Sequence, residues 1–422
     1  MLLTQGTLFK VGVQMSSIFI VIPYVADQFG SPAIVVALIV PSFTAGTLLG
    51  MIFGPRVLRI MVPVAGLLGG FALVNAALTA LIAVDIAVVP PRFGAYPLLL
   101  LCVLIGIVSG SLEVVSPMAM SALLSGHQHS DLLLKQSGYA AALVVVITAL
   151  FASRFVRESL PWSDVDLLWI GVVAMALCAA CSFGLRTRGV ELASGPGRIL
   201  DTVRDGHHYL RTNRWMQRFL ATQLVFIPVT LSPMFFAIYA AESLGAGFGD
   251  MDDFLVFFGI GLLAGIPLWR LVRTRLGLRG MYSCSAGIGV AAALGCIVSQ
   301  HWHPMPGLWA FGPVLLLSAL ANQPLWTAAY DWVFGCATAE QAVVVITYSK
   351  IVLGLGVIVA GFALSVAAER GPDIWPLGLL LALNALACLA AARVPRTTVR
   401  IYSPEENPDA RASVAPKYRG TT

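Results

Sequence analysis

Three ionisable side chains stand where such a group is costly, and each could do chemistry there. Glu113 lies among Val, Leu and Ile, more than one helical turn from any other charge. An ionisable residue inside an apolar span costs at least ~2.5 kcal/mol on insertion, so one that persists is a functional candidate. Glu113 could be a protonation switch, or a structural hydrogen-bonding partner for serines on neighbouring helices. Lys350 follows Thr338-Ala-Glu340-Gln341, which reads as a capping box opening a helix. At 1.5 Å per residue it then sits roughly 15 Å deep, about halfway through a bilayer core and beyond easy snorkelling. Lys135 begins its own apolar stretch nearer the rim, where a lysine is unremarkable. Only four lysines occur in the chain, the other 22 of the 26 basic residues being arginine, so each lysine is notable.

The elements that must position these groups are membrane spans. Of 422 residues, 58% are hydrophobic and 11% charged, with a mean hydropathy of +0.86. A soluble domain carries about 25% charge, so disordered, collagenous, coiled-coil and disulfide-stapled classes are excluded. A crossing helix needs about 20 apolar residues. Twelve stretches qualify: Lys10 to Asp27, Asp27 to Arg56, Arg59 to Asp85, Arg92 to near Gly126, Lys135 to Arg154, and Asp166 to Arg186. Then come Arg218 to Glu242, Asp253 to Arg270, two within Gly280 to Tyr330, Glu340 to Glu369, and Asp373 to Arg393. The Gly280 to Tyr330 run must be two spans, because Pro304 and Pro306 interrupt it. Prolines inside spans, such as Pro23 and Pro228, free carbonyls and permit bending.

With the N-terminus inside, 21 Lys and Arg fall on cytoplasmic segments and four (Arg92, Arg154, Arg157 and Arg370) on external loops. That asymmetry places both termini in the cytoplasm. It also accounts for the net charge of +5 by topology, with no nucleic-acid partner. The first span lacks a cleavable signal's basic start and small-residue exit, and reads as retained. Seven arginines lie between Arg186 and Arg218, where a basic linker, residues 186–217, divides residues 1–185 from 218–395. Its stretch from Arg198 to Arg218 is either an amphipathic helix on the inner leaflet or a plain linker made basic by topology. The polar tail, 396–422, is expected to be disordered.

Landmarks recur at an offset of 214 or 215 residues. Tyr24-Val-Ala-Asp27-Gln-Phe-Gly30 returns as Tyr239-Ala-Ala-Glu242-Ser-Leu-Gly245, Arg56 and Arg59 as Arg270 and Arg273, and Lys135 as Lys350. Nearer the ends the offset is 207, pairing Asp166 with Asp373 and Arg186 with Arg393. Six spans repeated in parallel around a basic linker resemble the major facilitator superfamily of secondary transporters, over residues 1 to about 400. The resemblance implies an all-α membrane protein with 12 transmembrane helices in two six-helix pseudo-symmetric bundles. Its central cavity would alternate between the two sides by rocking of the halves. The family's loop motif is degenerate in Gly50-Met-Ile-Phe-Gly-Pro-Arg56-Val-Leu-Arg59, where Gly54 stands at the expected acid. The stretch ending in Arg270 and Arg273 lacks the acid too.

The resemblance further implies that spans one, four, seven and ten line the cavity. The groups there are Gln14, Ser16, Ser17 and Tyr24, then Gln223 and Tyr239, then Asn322, Gln323, Trp326 and Tyr330. Gln323, Trp326 and Tyr330 share one helical face, an aromatic wall suited to an amphipathic ligand. Lys350 and Lys135 would present positive charge from both halves to an anionic substrate group or to Glu113. Alternatively Lys350 pairs with Asp331 or Glu340, and Lys135 is a topology charge. Asp27 and Glu242 at the outer ends, and Arg56, Arg59, Arg270 and Arg273 at the inner ones, are gating candidates.

No cofactor or metal is expected. Cys178-Ala-Ala-Cys181 lies inside a span with no second ligand pair, and the three histidine pairs lack a ligand set. No phosphate loop, nucleophile elbow or HExxH pattern occurs, which speaks against an enzyme or ATP-driven transport. The expectation is a monomeric secondary transporter in the cell membrane, bathed by lipid, moving a small organic anion or amphipathic molecule with protons. A lipid flippase, and a non-transporting membrane receptor or assembly partner, are the rival readings. The bias of arginine over lysine is that of a GC-rich bacterial genome.

Overall fold

The computed structural model describes residues 1–57, 64–89, 91–123, 126–152, 164–185, 199–244, 251–301, 307–337, 339–370 and 374–395. No strand occurs among them. The N-terminal half comprises α1 (Leu2–Met15), α2 (Val21–Gln28), α3 (Ala33–Val57), α4 (Val64–Val88), α5 (Pro91–Leu123), α6 (Gly126–Ala152) and α7 (Asp164–Phe183). A connecting helix, α8 (Ile199–Thr212), follows. The C-terminal half holds α9 (Arg214–Val225), α10 (Ile227–Leu244), α11 (Met251–His301), α12 (Gly307–Cys336), α13 (Ala339–Arg370) and α14 (Ile374–Ala391). Seven segments among the described residues are long and apolar enough to cross a membrane, and two shorter apolar helices join them.

The breaks follow from proline and glycine chemistry. The chain leaves helical geometry between Met15 and Val21, and Pro23 then lies in the first turn of α2, where a missing amide removes no helical bond. Pro228 holds the same place in α10, just after the junction at Phe226. Gly277, with φ 64° and ψ −160°, lets α11 fold into two arms, 251–276 and 278–301. A side chain would be strained at that φ. The second arm ends at His301 and α12 starts at Gly307, either side of the proline-bearing segment.

The two halves are packed by different means. Gly46 and Gly50 of α3 face Gly106 and Gly110 of α5, and a Cβ on any of the four would collide with a carbonyl oxygen of the opposite helix. The backbones therefore touch, as small-residue faces permit in membranes. Ser111 adds a hydrogen bond to the Gly50 carbonyl at 3.0 Å. In the C-terminal half one such contact recurs, Gly261 against the Leu316 carbonyl, and aromatic rings fill the space toward the linker helix. Phe226 and Tyr282 lie 5.1 Å apart, Phe219 and Trp332 5.5 Å, and Tyr282 and Trp332 6.0 Å, all edge-to-face.

The halves meet along α2–α10, α3–α13 and α6–α11. At one end a single apolar cluster crosses between them, with Tyr24 and Val25 packed among Phe235, Phe236, Tyr239 and Phe254. Tyr24 is fully buried and meets Phe254 edge-to-face at 6.1 Å. At the linker end the clusters are separate: one draws its buried residues from 216–394, the other joins Ala72, Cys178 and Ala179. Among the described residues, the apolar core is thus continuous across the halves at one end and divided at the other.

The amphipathic segment of the linker is a helix, α8. Its apolar side, with Val203, Tyr209 and Leu210, packs against the C-terminal cluster. Gly206 abuts the Tyr348 ring, and His207 Nδ1 lies 3.4 Å from Tyr348 Oη. Arg204, Arg211 and Arg214 remain exposed on its other side and at the start of α9. The expected plain linker is thereby corrected over 199–212, because those apolar residues find a partner surface on α13. Residues 186–198 and the tail, 396–422, lie outside the described residues.

Candidate functional site

Glu113 stands ten residues before the end of α5, and Lys350 eleven residues into α13. At 1.5 Å per residue both lie roughly 15 Å from helix ends on the same side of the molecule. The glycine contact between α3 and α5 fixes the rotation of α5, and Gly354 and Gly361 bring α13 close to Leu48 and Pro41 of α3. With both helices held against α3, Lys350 Nζ reaches Glu113 Oε2 at 2.6 Å, an ion pair joining the two halves of the chain. A charged pair this short is stronger than a neutral hydrogen bond.

The pair is not packed away. Glu113 is 40% exposed and Lys350 17%. The apolar sequence around Glu113 suggested a group enclosed among helices; its side chain stays accessible and reaches Lys350 of the other half instead, because the small-residue side of α5 is taken by α3. Lys350 Nζ also lies 5.6 Å from the centre of the Trp326 ring on α12. Cation–π attraction of this kind contributes about 0.5–1 kcal/mol at exposed sites. Trp326 and Tyr330, one turn further along α12, are 55% and 37% exposed. A carboxylate from one half therefore meets an ammonium from the other, beside the exposed Trp326 ring and one turn from Tyr330.

Asp331 does not take Lys350. It accepts from Arg273 Nη2 at 2.7 Å, tying α11 to α12. Arg270 is exposed on the same arm of α11. Lys135 is exposed on α6, unlike its repeat partner. Among the expected cavity groups, Gln223 is buried and donates to Tyr282 Oη at 2.7 Å. Asn322 donates to the Val229 carbonyl at 2.9 Å and Gln323 to the Leu262 carbonyl at 3.0 Å. These three amides hold the C-terminal half together, and Gln323 turns onto α11 rather than joining Trp326 and Tyr330. Gln14 is half-buried on α1, its Oε1 without a hydrogen-bond partner. Tyr24 and Tyr239 sit in the cluster shared by the halves, with Asp27 in the last turn of α2. Arg59, Gly245 and Thr338, and the side chains of Arg56, Glu242 and Glu340, lie outside the described residues.

A second feature escaped the sequence reading. At the break between α1 and α2, a cavity of about 80 Å³ is bordered by Ser16 and Ser17, which the sequence flagged, and by Asn75, Thr79 and Ser109, which it did not. Its polar residues are uncharged and sparse, so they carry no hydropathy signal. The four-residue spacing of Asn75 and Thr79 within the apolar α4 is the one trace of it in the sequence.

No protein-family model matches the chain. An uncharacterized protein of Mycobacterium tuberculosis is 27% identical over 397 residues, covering 93% of this chain and 76% of that protein. The crystal structure of the nucleoside transporter NupG superposes with a TM-score of 0.65 at 12% identity, covering 93% of this chain and 97% of that one. A D-xylose-proton symporter superposes at 0.68 with 13% identity, covering 94% and 97%. Two full-length overlays at such low identity report on the path of the backbone, and they agree with the helix order and packing described above. The chain has the fold of the major facilitator superfamily.

Proposed function

We propose that this chain is a secondary active transporter that moves a small organic anion or amphipathic molecule by alternating access, coupled to protons. Its twelve spans form two six-helix bundles. One is built from α1–α2, α3, α4, α5, α6 and α7. The other is built from α9–α10, the two arms of α11, α12, α13 and α14. The charge distribution sets both termini in the cytoplasm of a bacterial cell. The end with Tyr24 and Tyr239 in one shared cluster is then external.

The single observation that carries this reading is the Glu113–Lys350 pair, which joins the halves while its carboxylate stays accessible. An anionic substrate group competes with Glu113 for Lys350, and a proton on Glu113 offsets the charge it leaves uncompensated. The exchange keeps the site near neutrality in a low-dielectric setting, where an unpaired charge is costly. Trp326 and Tyr330 supply the apolar wall for the rest of the ligand.

The test is thermal stability of the purified protein against organic anions, cations, neutral drugs and lipids at two pH values, followed by flux in proteoliposomes. A ligand at 100 times its Kd adds about 2.7 kcal/mol and is visible as a shift. Anions are expected to stabilise the wild type, Lys350→Ala to abolish the shift, and Glu113→Gln to remove the pH dependence of flux. Stabilisation by lipids alone, unchanged in Lys350→Ala, would sink the reading and favour a flippase. No flux with any ligand would favour a receptor or assembly partner.

A further inference from the structure

The cavity at the α1–α2 break lies inside the N-terminal half, bordered by Phe19, Phe43 and Met175 as well as its polar residues. One of those polar side chains carries an oxygen that the fold leaves unused. Asn75 is 2% exposed and its Oδ1 has no hydrogen-bond partner. The hydroxyl-bearing Thr79, 1% exposed, and Ser109 border the same cavity. Buried polar groups are nearly always paired, so an unpaired amide oxygen at a cavity marks a place shaped for an occupant. The helix break adds to this: Ser16 Oγ returns to the Gly12 carbonyl at 2.7 Å, and the Phe19 amide turns to Ser17 Oγ at 3.3 Å.

The chemistry of the lining defines the occupant. An amide and two hydroxyls both donate and accept. No Asp, Glu, Lys or Arg borders the cavity, so an ionised group would be buried there without a counter-charge. Phe19 and Phe43, edge-to-face at 6.3 Å, offer apolar faces beside the polar groups. A group that donates, accepts and carries CH faces is a hydroxylated carbon chain or ring. The space holds several water-sized groups, enough for part of such a molecule.

Position links this cavity to the ion pair. Ile105 and Ser109 border the cavity, and Glu113 follows Ser109 by four residues on α5. Residues four apart share a face, so one stripe of α5 runs from the cavity to Glu113 about 6 Å further on. We propose that the transported molecule is a hydroxylated anion whose neutral hydroxyl-bearing end enters the Asn75–Thr79–Ser109 cavity while its anionic end reaches Lys350. This identification of the substrate class rests on the transporter reading above.

The test uses three six-carbon probes on the full-length purified protein: potassium gluconate, potassium hexanoate and sorbitol, each titrated by calorimetry. Gluconate is expected to bind wild type at least about tenfold more tightly than either of the others, since a site built to bond hydroxyls rejects an analogue lacking them. Asn75→Leu and Thr79→Val, each close in size to the native residue, should bring gluconate down to the hexanoate level and leave hexanoate unchanged. Asn75→Leu should fold, because it removes a buried oxygen that lacks a partner, and Thr79→Val keeps the shape of the native side chain. Equal binding of gluconate and hexanoate, or indifference of gluconate to both variants, overturns the proposal and leaves a water-filled cavity. Equal binding of sorbitol and gluconate, with Lys350→Ala harmless, keeps the cavity's role but overturns the anionic end and the reading it rests on. Binding of none of the three overturns both.

Discussion

In the C-terminal half many polar side chains are bonded from helix to helix, although Ser318 Oγ and Trp332 Nε1 are buried without a hydrogen-bond partner. Gln223 bonds to Tyr282, Asn322 and Gln323 to carbonyls of α10 and α11, Ser285 to the Ala321 carbonyl at 2.6 Å, and Trp269 to the Leu320 carbonyl at 3.1 Å. Its rings fill the remaining space. The N-terminal half packs backbone against backbone through glycines and leaves Asn75 Oδ1 without a partner at a cavity that Thr79 and Ser109 also border. The bonds of the C-terminal half brace the side of the molecule that offers Lys350 and the Trp326 face. Two repeats with matching landmarks thus differ in how their buried polar groups are arranged, amides and hydroxyls bonded across helices in one, an unpaired amide oxygen at a cavity in the other.

The most damaging way to break this contrast is to put side chains into the glycine contact. Gly106→Leu is expected to destabilise by about 3 kcal/mol or more, since backbone carbonyls of α3 have nowhere to go. Little monodisperse protein should survive size exclusion in detergent. Gly287→Ala in the C-terminal half, with nothing within 4 Å, should instead match or exceed wild-type yield. Normal behaviour of Gly106→Leu would show that α3 and α5 are not in backbone contact.

A finer probe compares one polar residue from each half. Gln223→Leu leaves the buried Tyr282 hydroxyl without its donor and should cost about 1–3 kcal/mol, read as a lowered Tm with anion shifts intact. Asn75→Leu should leave the unliganded Tm within the error of wild type, or raise it. The reverse ranking would contradict that difference between the halves. Smallest of all, Arg273→Lys keeps a positive charge opposite Asp331 from a position 41% exposed, and should change stability by at most about 1 kcal/mol without altering flux. A large loss of flux would instead make the Arg273–Asp331 pair part of the gate.

Much of the architecture was legible because membrane helices advertise themselves. The apolar runs, the proline after Phe226, and the interruption between His301 and Gly307 all fall where helices start, stop or break. The depth of Lys350 was readable too, because α13 begins at Ala339 as the capping residues suggest and rise per residue is constant. Which acid it would meet was not. Asp331 and Glu340 are nearer in sequence, yet Glu113 is its partner and Arg273 claims Asp331. Amides in span ten looked like cavity groups, since an amide aimed at a ligand and one aimed at a neighbouring carbonyl look alike in a one-dimensional string.

From the sequence alone, then, come positions along the helices: apolar runs, breaks, and the level at which Glu113 and Lys350 lie. Those depend on hydropathy, proline and glycine chemistry and a fixed rise, all local properties of the chain. Rotation about each helix axis, and the neighbour met at that level, came only with the tertiary structure. They are settled by which small-residue faces lock together, α3 against α5 and α13 against α3, and those locks turn Lys350 toward Glu113 and leave the cavity beside Asn75.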